Sequence, residues 1–381
     1  MIMSESDQER VVIRGLRGVA AATTRISFVD PLGSLYYSGY TIDVLVDNAT
    51  YEEVVYLLLN NELPTKTELS ALKSDFFSAM RLPKEVVERI KSASTTCHPM
   101  EVLRTEVSHL GEFDPEPDDT SDEANKRRAI RIIAKVPTII SFLYRTRAKE
   151  NAVAPVREFT FAENFLYMFR GRPANQQEKS AMERYMILHA DHGLNASTFA
   201  ARVTAGTGSD LYSAVTSAVG TLKGSFHGGA SERVMKMLYE INSLDEIEQY
   251  IQSMLDDKKK IMGFGHRVYT SEDPRSKHLR ELAEKLCRQK DTLEIYDKCK
   301  KIEYTVHNKK GIFPNVDYYA ALVMHALGVP RDFFTAFFAA SRVSGWVAHT
   351  LEQYVDAILI RPTSEYIGEY GRKFIPIEDR C

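Results

Sequence analysis

Cysteine is scarce in this chain: four in 381 residues, Cys97, Cys287, Cys299 and Cys381. None forms a CxxC or CxxH pair, which argues against a zinc knuckle. So thin a supply in so long a chain fits a reducing, intracellular setting better than a disulfide framework. There is no run of eighteen apolar residues, so no membrane-spanning helix is expected. The formal net charge is −3 and the longest lysine run, Lys258 to Lys260, is short. With no basic patch, nucleic acid is not the expected partner. The first residues, MIMSESDQERVV, are acidic and polar, without the apolar core of a secretory signal or the Arg-rich pattern of a transit peptide. A cytoplasmic location is expected. Also missing are a Walker A motif, a GxSxG elbow, an HxH or HExxH pair and a cysteine with nucleophile-like flanks. The run GFGHRV lacks the third glycine of a dinucleotide fingerprint, and no parallel βαβ pattern surrounds it. No metal site is expected.

What is present is an ordinary globular composition, 44% hydrophobic and 27% charged, long enough for one large domain or two moderate ones. Residues 19–40 carry β-branched and aromatic residues around Asp30-Pro31-Leu32-Gly33, which predicts a hairpin. Helix signals dominate afterwards. Thr50 to Glu53 and Thr65 to Glu68 have the form of helix starts, the first a capping box. Val54, Leu57 and Leu58 follow one, and Leu69, Leu72 and Phe76 the other. Residues 112–125 read as an exposed acidic loop. Apolar helical patterns resume at 126–147, 161–169, 178–190 and 197–221, the last long and rich in small residues that permit close helix packing. Over Ser271 to Gln289, Asp273 can cap a helix and Pro274 suits its first turn. Leu279, Leu282, Ala283, Leu286 and Cys287 form one apolar stripe. Arg275 then sits beside the positive end of the helix dipole, where a cation gains nothing for the helix. Either it clamps a bound anion there, or it is a surface residue paired with Glu272.

Three histidines have unusual surroundings: His192 in HADHGLNAST, His227 in KGSFHGGA and His266 in GFGHRVY. Any one of them alone is more simply a structural hydrogen-bonding group. Asp317, in FPNVDYYAA, is either a helix cap or a general base in an apolar setting that raises its pKa. Arg342 interrupts an apolar, small-residue helix at 337–353 and needs a partner that no neighbouring turn supplies. Arg361 stands in an IRP run near the end. Three arginines suit a di- or tricarboxylate. Neutral histidines with an aspartate suit proton abstraction beside a carbonyl, with hydrogen bonds to the enol oxygen.

The motifs HGG, GFGHRVY with DPR, FPNVDYYA, SRVSGWVAH and IRP occur in an order and spacing that resembles the citrate synthases, and within them the 2-methylcitrate synthases, over about residues 12–376. The resemblance implies a mainly α fold with a short N-terminal β-hairpin. It implies a large domain from 1–228 and 329–381 and a smaller mobile domain, 229–328, that closes over the substrates. The implied reaction is transfer of a short acyl-CoA, propionyl or acetyl, onto oxaloacetate through an enol and thioester hydrolysis, as in the tricarboxylic acid cycle or propionate metabolism. His227 then resembles the enol-stabilising histidine, Asp317 the α-proton base and His266 the histidine that polarises the ketone. His192, Arg275 and Arg342 resemble oxaloacetate ligands, and Arg361 an arginine lent by the neighbouring subunit of a homodimer. The loop Lys260, Ile261, Met262, Gly263 and Phe264 resembles the cradle for the CoA adenine. Acyl-CoA enters as a co-substrate, and no permanently bound cofactor is implied. His98 to Thr105 (HPMEVLRT) and Asn195 to Phe199 (NASTF) resemble the 2-methylcitrate branch. Thr270, Ser225-Phe226, Gly193 and Ala336 depart from common family residues. A strict citrate synthase, and an inactive homologue serving as a binding subunit, are the alternatives.

Overall fold

The computed structural model describes residues 12–16, 18–93 and 96–380. The acidic, polar opening residues up to position 11, where neither a secretory signal nor a transit peptide is expected, and Cys381 lie outside them. The described chain forms two units, residues 24–359 and the terminal segments up to Thr23 and from Ile360. The first is mainly helical. No helix among the described residues is long and apolar enough to cross a membrane.

The predicted hairpin is present. Strands β1 (Ser27–Asp30) and β2 (Ser34–Tyr37) pair antiparallel, with Asp30 opposite Ser34. Asp30 Oδ1 accepts the Leu32 N–H at 3.0 Å and its carbonyl accepts the Gly33 N–H at 3.0 Å. Gly33 closes the turn at φ +101°, a conformation other residues rarely adopt. A short β3 (Tyr40–Thr41) pairs with β2 to complete a three-stranded sheet. Helices Tyr51–Asn60 and Lys66–Ala79 both start with reciprocal capping boxes, Thr50 with Glu53 and Thr65 with Glu68. Val54, Leu57, Leu58, Leu72 and Phe76 are buried as their spacing requires.

The spine of the unit is helix Phe334–Asp356. Every residue from Phe334 to Thr350 is buried, and helices Asp122–Arg147, Gln176–His189, Ala196–Ala205 and Leu211–Leu222 pack around it. A helix buried on all sides needs small residues where neighbours approach, which is why Ala, Ser and Gly alternate with Phe and Trp along it. The acidic loop at 112–125 is largely exposed, but Asp114 turns inward to meet Arg128 and, at 2.7 Å, Arg131.

One expectation is corrected. Residues 197–221 are two helices, Ala196–Ala205 and Leu211–Leu222, that fold back on each other. The segment Gly206-Thr-Gly-Ser-Asp210 separates them. Glycines are poor helix formers, and the Asp210 side chain accepts the Ser213 N–H at 3.0 Å as a new N-cap.

The terminal unit contains short 3₁₀ turns at Arg14–Leu16 and Ile377–Asp379. Ile367, Phe374 and Tyr370 are 93%, 84% and 78% exposed, far more apolar surface than a chain segment usually leaves to water.

Candidate active site

His192 lies just past the C-terminus of helix Gln176–His189. That end is held by Tyr37, whose hydroxyl donates to the Asp191 carbonyl at 2.8 Å and accepts the Asp191 N–H at 3.2 Å. The Asp191 carboxylate binds the Ser27 hydroxyl, the Gly193 N–H at 2.9 Å and His349 Nε2 at 3.3 Å. Burial would raise Asp191, but His349, Arg342 and Ser27 outweigh it and keep the group below the ordinary carboxylate value. His192 itself is buried, with Nε2 3.1 Å from the Tyr269 hydroxyl. Its ring meets those of His266 and Tyr269 edge-on, with centroids 5.2 and 5.5 Å away. Burial, then Arg275 and His266, push His192 well below the usual histidine value.

His266 belongs to a loop zipped against the segment 313–315. Gly265 N donates to the Phe313 carbonyl at 2.9 Å and Asn315 N to the Gly263 carbonyl at 2.8 Å. Asn315 Nδ2 donates to the Gly265 carbonyl at 2.9 Å. Gly263 is required here: at φ +80° it faces Tyr318 and Val234, and a Cβ would come within 2.8 Å of both. Nδ1 of His266 accepts the N–H groups of Val268 and Tyr269, each at 3.0 Å, and the ring stacks on Tyr269 at 4.5 Å. Two amide donors on Nδ1 place the proton of the neutral ring on Nε2. Burial, with Arg275 nearby, lowers His266 to about 4, so it is neutral at pH 7.

His227 has the opposite tautomer. Its Nε2 accepts from the Ser197 N–H at 3.3 Å and lies 2.8 Å from Ser197 Oγ, which leaves the proton on Nδ1. Trp346 on the spine donates to the same Ser197 oxygen at 3.0 Å, so the serine is held from behind. Burial, then Arg342, lower His227 to about 4.

The arginines differ in their partners. Arg275 is buried, and Asp273 takes its Nε at 2.9 Å and its Nη2 at 2.7 Å. The partner is Asp273, the capping residue. Glu272, the partner in the surface-pair alternative, binds Arg280 instead. Arg342 is 1% exposed. Among the described residues its guanidinium donates one hydrogen bond, Nε to the His189 carbonyl at 2.7 Å, and it lies over the Phe338 ring at 4.8 Å. Burial lowers Arg342 to about 10 against the pull of Asp191. Asp317, in the first turn of helix Val316–Ala326, has a buried Oδ1 without a hydrogen-bond partner among the described residues. Burial raises Asp317 to about 7, although Arg275 and Arg342 pull it down.

The structure therefore brings His192 and His266 together around Tyr269, and sets Asp317 within the fields of Arg275 and Arg342. His227 hangs from the helix start at Asn195 and Ser197. In the loop 260–264, Phe264 bridges to Pro314 and packs on Tyr318, while Lys260 lies over the exposed Phe226 ring at 5.3 Å. Arg361 is exposed and belongs to the terminal unit. Sequence reasoning passed over Tyr269, Ser197 and Trp346 and took Asp273 only as a cap. The signal for Tyr269 was its place three residues after His266. The contact of Ser197 with His227 joins residues 30 apart and has no local signature.

A helical frame that sets the Asp317 carboxyl group, its Oδ1 buried, and three neutral imidazoles in the fields of the two buried guanidinium groups suits enolisation beside an anionic keto acid. Residues 15–363 match the family "Citrate synthase, C-terminal domain", and the chain belongs to the citrate synthase family. It is 48% identical to citrate synthase 2 of Bacillus subtilis over 97% of this chain and 99% of that one. It is 40% identical to the citrate/2-methylcitrate synthase of the same organism, over 93% and 96%. A solved citrate synthase from Thermoplasma acidophilum, in ternary complex with carboxymethyl coenzyme A and oxaloacetate, superposes with a TM-score of 0.92. It is 34% identical and is matched over 97% of this chain and 100% of that one.

Proposed function

We propose that this enzyme condenses oxaloacetate with a short acyl-CoA at the site just described, and that Asp317 starts the reaction. The observation that carries this is the unpartnered, buried Oδ1 of Asp317. Burial makes the carboxylate a stronger base than it is in water. It removes the α-proton of the thioester while the Nδ1–H of His227 donates to the carbonyl oxygen that becomes the enolate. The enol carbon then attacks the oxaloacetate ketone, which the Nε2–H of His266 polarises and protonates. His192, Arg275 and Arg342 bind the carboxylates of the keto acid, with Arg361 supplied by a second subunit. Water cleaves the resulting thioester and releases CoA. Preorganised donors do this work, since they are oriented before charge develops.

The loop from Lys260 to Phe264 is assigned to the CoA adenine through its main chain. Residues 229–328 are assigned to a small domain that closes on the substrates and keeps water out until carbon–carbon bond formation is complete. The homodimer is supported by the apolar side chains that the terminal unit leaves exposed. A cytoplasmic location is supported by the free thiols of Cys97, Cys287 and Cys299. Acetyl- and propionyl-CoA are both expected to react, because one methylene changes binding by only about 1–3 kcal/mol. The two resemblances to the 2-methylcitrate branch have structural uses here. His98 caps helix Pro99–His109, and Asn195 caps the helix that carries Ser197.

The test is the variant Asp317→Asn. It should still bind oxaloacetate by calorimetry while losing oxaloacetate-dependent release of CoA thiol. Near-normal turnover would remove Asp317 from the mechanism. The ratio of kcat/KM for propionyl-CoA and acetyl-CoA then decides between the two activities.

A further inference from the structure

The N-terminal hairpin touches both segments that carry the histidines assigned to the keto acid. At its base, Ser27 Oγ binds the Asp191 carboxylate and accepts the Gly193 N–H at 3.0 Å, and Tyr37 holds the Asp191 backbone on both sides. These contacts flank His192. At its tip, the Pro31 carbonyl accepts the Thr270 N–H at 3.0 Å and the Thr270 hydroxyl at 3.1 Å. Gly33 lies so close to the next residues that a Cβ would fall 2.5 Å from Ser271 Oγ and 3.3 Å from the Glu272 carbonyl. This stretch lies between Tyr269, stacked on His266, and Asp273, which clamps Arg275. Helix Pro274–Gln289 is tied to the same region through Lys277 and His278, both bound to Asp43 just after β3.

We propose that the hairpin is a positioning clip: Ser27 at its base and the Pro31–Gly33 turn at its tip set His192 and His266 at their working separation for the keto acid. The inference rests on the assignment of those two histidines to oxaloacetate. The physical logic is that each histidine sits on an irregular segment, which ordinary helix packing does not orient. A two-stranded ribbon hydrogen-bonded at both ends holds such segments to one another, and small misplacements of binding groups lower affinity and rate.

The experiment is steady-state kinetics of purified enzyme with each substrate varied in turn. In Gly33→Ala the new Cβ crowds Ser271 Oγ and the Glu272 carbonyl at the tip. The oxaloacetate KM should rise about tenfold while the acyl-CoA KM changes less than about twofold. Adding Ser271→Ala removes the closest obstructing atom, Oγ, and should restore most of the oxaloacetate KM. Turn strain at positive φ would persist in that double variant, so a purely structural defect would not be rescued. Ser27→Ala, at the base, removes the hydrogen bonds to the Asp191 carboxylate and from the Gly193 N–H and should raise the same KM about tenfold. It also keeps the test open should Gly33→Ala fold poorly. Leu32→Ser, at an 81% exposed position on the tip, should leave both KM values unchanged. Equal shifts in both KM values, or reduced thermal stability with no kinetic change, would overturn the clip. His266→Ala separates the two levels. If it spares oxaloacetate use, the assignment of the site fails. If it abolishes oxaloacetate use while Gly33→Ala and Ser27→Ala do not alter the oxaloacetate KM, only the clip fails.

Discussion

Helices Pro274–Gln289 and Val316–Ala326 begin beside each other, joined by the Val316 N–H donating to Asp273 Oδ2 at 3.2 Å. Each has an aspartate at its start. Asp273 accepts four donors: the Arg275 amide, its Nε and Nη2, and the Val316 amide. Asp317 has an oxygen with none among the described residues. Asp273 is buried and so is the Oδ1 atom of Asp317, and loss of water alone would raise both. At Asp273 the Arg275 charge and these donors outweigh burial and hold the group below its ordinary value. At Asp317 burial prevails, to about 7. Two carboxyl groups at adjacent helix starts thus take opposite roles because donors were supplied to one and withheld from the other. Asp273 is a fixed anion that secures a cation, and Asp317 is a proton acceptor near neutral pH.

The most forceful way to break this contrast is to remove the acceptor. Asp317→Asn should lower kcat by about 10³-fold or more, the scale of a positioned general base combined with loss of the enol route. Breaking the other half should instead affect the fold. Asp273→Asn leaves Arg275 buried without its countercharge, and such a loss costs about 3–5 kcal/mol. Chemical denaturation would measure this, and oxaloacetate binding should weaken along with stability. A stable Asp273→Asn enzyme with a normal oxaloacetate KM would mean that the clamp is dispensable.

The pH dependence sharpens the comparison, because the two groups have opposite signs. Asp317 must be ionised to act, so kcat/KM should fall as pH drops through about 7. His227 and His266, lowered to about 4, stay neutral throughout that window. In stability terms the folded state holds the Asp317 proton more tightly than the unfolded chain does. Its contribution is complete below the unfolded value of 3.8 and is lost as pH rises through about 7. Asp317→Asn should therefore be about 4 kcal/mol more stable than the parent at pH 8 and show no such gain at pH 4. Asp273, whose folded value is lowered, contributes above its unfolded value of 3.8 and loses that contribution as pH falls through its folded value. Its variant should thus be most handicapped at neutral and alkaline pH. Melting curves of the two variants across pH 4–8 should diverge in opposite directions from the parent.

Much of this was legible in the residues themselves wherever the causes are local. The capping box at Thr50, the helix start at Thr65, the Asp30–Gly33 turn and the cap at Asp273 each lie within four residues of chain, so short-range stereochemistry determines them. The apolar flanks of Asp317 already pointed to a raised pKa. The partner of Arg275 was less legible. The sequence offers Arg275 a bound anion or Glu272 and gives Asp273 a capping role, whereas Asp273 serves backbone and guanidinium together. The opposite tautomers of His227 and His266 could not be read at all from local sequence. One is set by Ser197, 30 positions away, and the other by how a glycine-flanked loop presents two amides. The break at 206–210 was hidden by the continuous small-residue pattern on either side, which marks packing faces and not the length of a helix.

The smallest effect expected is at Tyr269, where the interaction is neutral and not charge-assisted. Its hydroxyl lies 3.1 Å from His192 Nε2 while its ring stacks on His266. Tyr269→Phe keeps the ring and so leaves His266 in place, but frees His192 from its one hydrogen bond to that hydroxyl. A neutral hydrogen bond contributes about 1 kcal/mol, against roughly twice that for one involving an ion. The oxaloacetate KM should accordingly rise about fivefold, with kcat and the acyl-CoA KM nearly unchanged. A fall in kcat as large as that of Asp317→Asn would show that the tyrosine hydroxyl takes part in proton transfer, and the contrast between a positioned anion and a single proton acceptor would have to include a third group.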